Sequence, residues 1–194
     1  MHRLLFAVGL LTAFAGLAVV TASPASATGG SIVAFHDGFE QPAVSSWVTY
    51  SAGSQMGVWA VTRGNVHLAG ANTWEMDEGN QSLDLDGFQN GGVAVTISTI
   101  PWAKYKVRYA LAGNPADGPA VKSGKALING AVVHSFSFDI TGRTLADMGY
   151  VDKSFWFIAS GHETKLEFVS TTNPSSFGPV LDDVVVKKCL LVLC

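Results

Sequence analysis

Cysteine is nearly absent from this sequence: there are two in 194 residues, Cys189 and Cys194, both within the last six positions. A disulfide framework is therefore excluded as the main source of stability, and two thiols without a nearby histidine make an incomplete zinc site. Charge is also scarce, at 14% of residues, with 12 Lys and Arg against 15 Asp and Glu for a formal net charge of −3. That balance argues against nucleic acid, because neutralising phosphates needs clustered Lys and Arg. Two common hydrolase signatures are missing. Gly53-Ser54-Gln55-Met56-Gly57 has the wrong spacing for a nucleophile elbow, and the five histidines contain no H-E-x-x-H. No window of 12 or more residues keeps a helical period without Gly or Pro inside it. Beyond the N-terminal segment, no apolar run approaches the roughly 20 residues of a membrane span.

What is present divides in two. The mean hydropathy of +0.29 owes much to the start of the chain, where 18 of the first 27 residues are apolar. His2 and Arg3 precede an uncharged stretch from Leu4 to Val20, then Pro24 and the small triplet Ala25-Ser26-Ala27. That order predicts a secretory signal over residues 1–27, a β-domain over 28–188 and a short Cys-flanked tail over 189–194. Removing Arg3 leaves the exported part at −4, a balance that suits a neutral sugar better than a polyanion. In an oxidising compartment Cys189 and Cys194 can bridge each other or link two copies into a disulfide dimer.

The remainder alternates with period two. Tyr105, Val107, Tyr109 and Leu111 point one way, while Lys104, Lys106 and Arg108 point the other. Val93, Val95 and Ile97 behave alike, as do Phe136 with Phe138 and Leu166 with Phe168. Asn129-Gly130 between apolar runs predicts a tight hairpin, since both turn positions need positive φ. Short strands without helices between them imply an all-β sandwich.

Few residues stand out as candidate chemistry. Asp84 and Asp86 share one face of Ser82-Leu83-Asp84-Leu85-Asp86-Gly87, but glycosidase carboxylates converge across a cleft, and the calcium-loop pattern lacks its later ligands. A solvated strand face is the expectation there, and His36 and His67 read as strand-end or surface residues. If the first and last strands lie side by side, Glu40 can meet Asp182 or Asp183, and hard oxygen donors suit Ca²⁺. Among the tryptophans, Trp59 and Trp156 sit in apolar runs and read as core. Trp74 and Trp102 lie beside turns and are the candidate ligand-binding platforms.

Several motifs, in order, carry a resemblance: Asp37-Gly38-Phe39-Glu40, Gly57-Val58-Trp59-Ala60-Val61, Gly79-Asn80-Gln81-Ser82-Leu83-Asp84-Leu85-Asp86-Gly87, Leu111-Ala112-Gly113-Asn114-Pro115 and Gly178-Pro179-Val180-Leu181-Asp182-Asp183-Val184. The chain resembles the choice-of-anchor C family, which is similar to the plant cell-wall domain-of-unknown-function family 642. His67 stands where that pattern usually has Asp. The resemblance implies a galactose-binding-like jelly-roll β-sandwich and an extracellular or wall-associated location with a polysaccharide partner. It also implies a structural Ca²⁺ near Glu40, Asp182 and Asp183. A non-catalytic carbohydrate-binding domain is the resulting expectation; the alternative is an extracellular protein-interaction module without glycan affinity.

Overall fold

The computed structural model describes residues 32–174 and 176–190; the expected leader and Cys194 lie outside them. Two antiparallel sheets face each other. The first orders β11 (Val151–Ile158), β8 (Lys104–Gly113), β13 (Pro179–Lys188), β6 (Gln81–Asp84), β5 (Asn65–Gly70) and β2 (Trp47–Ser51), with β1 (Ile32–Asp37) also paired to β13. The second orders β10 (Ala131–Asp139), β9 (Val121–Ile128), β12 (Glu163–Ser170), β7 (Gly92–Ser98), β4 (Trp59–Arg63) and β3 (Gln55–Met56). Among the described residues there is no helix, hence none long and apolar enough to cross a membrane.

The alternation read from the sequence determines which side chains enter the space between the sheets. In β8, Tyr105, Val107, Tyr109 and Leu111 are buried, and across the sandwich they meet Phe136, Phe138, Leu166 and Phe168. The Tyr109 ring packs edge-on against Phe168 at 5.0 Å and Phe136 at 5.6 Å, an arrangement aromatic quadrupoles favour. Trp59 is fully buried, as expected. Asn129 and Gly130 both take positive φ, 50° and 84°, at the β9–β10 turn.

Trp156 departs from expectation. It is 44% exposed, because Phe155 and Phe157 take the inward positions of β11 and alternation turns the residue between them outward. An apolar run without polar interruption conceals that parity.

β1 and β13 do lie side by side, with Asp37 opposite Val184. The long β13 binds β8 along one edge; along the other it meets β6 through Val180 and Leu181, then β1 from Val184 onward. A bulge between Asp182 and Val185 marks the change of neighbour, and Asp183 there has φ of 42°. Cys189, just past β13, is buried and disulfide-bonded within the single chain, which gives a disulfide-linked dimer no support.

Candidate functional site: an aromatic cleft over two buried aspartates

A cleft of about 420 Å³ opens at the end of the sandwich where β6 and β8 finish. Its walls are aromatic: Trp47 from β2, Trp74, Phe88 and Phe177, with Leu145 beside them. Trp74 is nearly buried and its Nε1 donates to Ser82 Oγ at 2.9 Å, which fixes the indole. Phe88 is 66% exposed and Trp47 is 52% exposed, forming the rim. The His67 ring sits between these two, 4.9 Å from Trp47 and 5.2 Å from Phe88. It is half-buried rather than a surface residue, its Nε2 has no hydrogen-bond partner among the described residues, and burial pushes its pKa down.

The floor is acidic and buried. Asp84 and Asp86 are both fully buried, contrary to the solvated strand face expected of them. The reason is local: β6 is covered on both faces, and the 176–178 segment closes over the second aspartate. A Cβ on Gly178 would lie 2.7 Å from Cβ and Cγ of Asp86, so only glycine allows that approach.

Asp84 is well satisfied. Its Oδ1 accepts from the amides of Asp86 at 2.8 Å and Gly178 at 3.0 Å, and its Oδ2 accepts from Asn114 Nδ2 at 2.8 Å. Burial still dominates and pushes its pKa up to about 7, with the Asn114 and amide hydrogen bonds opposing.

Asp86 differs. Among the described residues neither of its carboxylate oxygens has a hydrogen-bond partner. Burial raises its pKa; the Ser170 hydroxyl and the Gly91 and Ser176 amides stand near and pull the other way without reaching hydrogen-bond geometry. Beneath the pair is Lys122, also fully buried, whose Nζ donates to the Asp117 carbonyl at 2.6 Å. Burial lowers its pKa while Asp84 and Asp86 raise it. An unpartnered buried acceptor costs on the order of 1–3 kcal/mol, more when charged. A ligand hydroxyl that displaced the 176–178 cover and reached the carboxylate would relieve that cost.

The expected metal ligands sit elsewhere and serve two different neighbours. Glu40 Oε1 accepts from the amides of Asn80 at 2.9 Å and Gln81 at 3.0 Å. Asp182, fully buried, holds the preceding turn: Oδ2 accepts from Asp77 at 3.0 Å and Glu78 at 3.1 Å, and Oδ1 from Asp183 at 2.8 Å. Both carboxylates thus clasp the 77–81 loop. Burial carries the Asp182 pKa up to about 7 against those three amides. Asp183 turns away from them; it binds the Arg108 guanidinium, and His36 Nε2 at 2.8 Å. His36, Glu78 and Asp183 place one nitrogen and two oxygens within 4.8 Å of one another, with the arginine already on the last of these.

The two expected platforms are separated. Trp74 lines the cleft, whereas Trp102 is 83% exposed at the opposite end of β8, a strand about 30 Å long. Trp47 and Phe88 were not distinguished by the sequence. Each lies in a short polar-flanked stretch whose position at the cleft depends on strands far apart in the chain.

Solved structures with a similar fold include the CBM22-1 xylan-binding domain of Paenibacillus barcinonensis Xyn10C, at 14% identity and TM-score 0.50, covering 86% of this chain and 100% of that one. The tandem CBM22-1-CBM22-2 domain of the same protein matches at 15% identity and TM-score 0.50, covering 86% of this chain and 48% of that one. A family 35 carbohydrate binding module from Clostridium thermocellum matches at 16% identity and TM-score 0.49, covering 73% and 97%. The described strands thus form a jelly-roll β-sandwich. No curated protein matches the chain. The model of the family described as protein of unknown function, DUF642, matches residues 34–187, and the chain belongs to that family.

Proposed function

We propose that this chain is a non-catalytic carbohydrate-binding domain that holds a sugar in the aromatic cleft. The observation that carries this reading is the pairing of exposed aromatic rims with a buried, unpartnered carboxylate on the floor. Apolar faces of a pyranose would stack on Trp47 and Phe88, while its hydroxyls would donate to Asp86 and meet Asn114. Binding pockets generally combine apolar walls with a few convergent polar groups. The fold shared with a xylan-binding domain supports the same reading, and so does the motif pattern resembling choice-of-anchor C proteins, which agrees with action at an extracellular surface or cell wall.

Affinity electrophoresis against xylan, mannan, β-glucan and galactan tests this. Retardation by at least one polymer is expected, with Phe88→Ala weakening it about tenfold while leaving the melting temperature within about 2 °C, as for an exposed side chain. No retardation on any polymer would overturn the reading.

A structural Ca²⁺ at the 77–81 loop belongs to the same proposal. Carboxylate oxygens are the donors calcium prefers, and Glu40, whose two amide bonds both fall on Oε1, fits that chemistry, whereas the Asp182 oxygens are held by three amides and Asp183 is committed to Arg108. Excess chelator is expected to lower the melting temperature of the wild type, and Glu40→Gln to reproduce the loss. An unchanged melt would remove the ion from the account.

A further inference from the structure

The outer face of the first sheet carries a feature that net charge conceals. Opposed residues of an antiparallel ladder project from the same face, so pairing aligns Trp156 of β11, Lys106 of β8 and Lys187 of β13 in one row. The next row holds Ile158 and Lys104. The lysine ammonium groups of Lys104 and Lys106 lie 4.4 Å and 5.1 Å from the centre of the Trp156 ring. Trp102 flanks the same end, two residues before Lys104.

Physically this arrangement is unfavourable when bare. Like charges directly opposite in a sheet destabilise it, and Lys106 faces Lys187 across about 5 Å, with Lys104 about 7 Å along the strand. Among the described residues none of the three forms an ion pair; the acids Asp152 and Asp183 are both held by Arg108. Cation–π attraction to Trp156 offsets part of the repulsion and holds two ammonium groups at one ring. The result is a preorganised, uncompensated cluster on a chain of net charge −3.

We propose that this face is a second polysaccharide-binding surface, taking an acidic, carboxylate-bearing glycan across Lys104, Lys106 and Lys187. It rests on the reading that the chain meets polysaccharide, but it uses none of the cleft residues. Charge complementarity selects a polyuronate over the neutral polymers suited to the cleft. Three lysines are too few for the polybasic segments that hold anionic membranes, and the acidic remainder of the chain disfavours the close approach of nucleic acid.

The test titrates the full exported chain with polygalacturonate, its fully methyl-esterified form, and the neutral polymer retained by the cleft. Expected is binding to polygalacturonate that weakens about tenfold between about 50 and 200 mM salt and is lost on esterification. The triple substitution Lys104→Gln, Lys106→Gln, Lys187→Gln should abolish it while keeping neutral-polymer binding and a wild-type melt. Trp156→Ala, which retains all three charges, should weaken it partially. Polygalacturonate binding undiminished in the triple variant, or absent in the wild type, overturns the proposal. So does preferential capture by DNA or phosphatidylserine vesicles. Loss of neutral-polymer binding alone would count against the cleft and leave this face standing.

Discussion

Two aspartate pairs, Asp84–Asp86 and Asp182–Asp183, look alike in sequence and meet opposite fates in the fold. Three of these four carboxylates are fully buried. Asp182 is saturated by three backbone amides and holds a loop, and Asp183 is paired with the Arg108 guanidinium and in hydrogen-bond contact with His36. Asp84 is likewise saturated. Asp84 and Asp86 both line the floor of the aromatic cleft, but of the four only Asp86 has two buried oxygens without a hydrogen-bond partner among the described residues. The lesson is that burial does not distinguish a structural acid from a binding one; the count of satisfied oxygens does. A saturated carboxylate is part of the scaffold, whereas an unsaturated one has capacity left for a ligand.

The largest effect should come from breaking the saturated pair. Asp182→Ala orphans the amides of Asp77, Glu78 and Asp183 in a buried turn, and should cost about 3 kcal/mol or more. For a domain of this size that lowers the melting temperature by about 10 °C. Glycan affinity of the folded fraction should be unchanged, which calorimetric titration below the melt would show.

A smaller effect follows from the raised pKa values near 7 of Asp84 and Asp182. Both lie above the roughly 3.9 of an unfolded aspartate, so the folded state holds more protons between those values. Their contribution to stability is full below about pH 4 and is lost as pH rises through about 7. Thermal melts should therefore fall from pH 5 to pH 8, and Asp182→Asn should flatten that slope. A slope identical in wild type and variant would place the titration elsewhere.

Much of the scaffold was legible in the sequence because alternation is a local signal. Tyr105, Val107 and Tyr109 announce their face within eight residues, and Asn129-Gly130 announces its turn. The adjacency of β1 and β13 was a supposition, made to let Glu40 meet Asp182 or Asp183, and the β1–β13 ladder bears out that adjacency. The site was less legible. The strand containing Asp84 alternates, but period two does not say which face is covered, and here the 176–178 segment, more than 90 residues away, covers the face expected to be wet. Trp156 was hidden by apolar neighbours on both sides. The lysine face was hidden by distance and by averaging. Lys187 reaches Lys106 only through the β13–β8 ladder, and a net charge cannot report a local cluster.

The central claim is that Asp86 is buried for a ligand rather than for the fold, and one paired measurement on Asp86→Asn tests it. The substitution keeps the shape and replaces a buried carboxylate that has no hydrogen-bond partner among the described residues. The account predicts a melting temperature equal to or above wild type, together with a loss of about tenfold or more in affinity for the retained neutral glycan, the scale of a charge-assisted hydrogen bond. A variant that melts well below wild type while binding the glycan undiminished would contradict it.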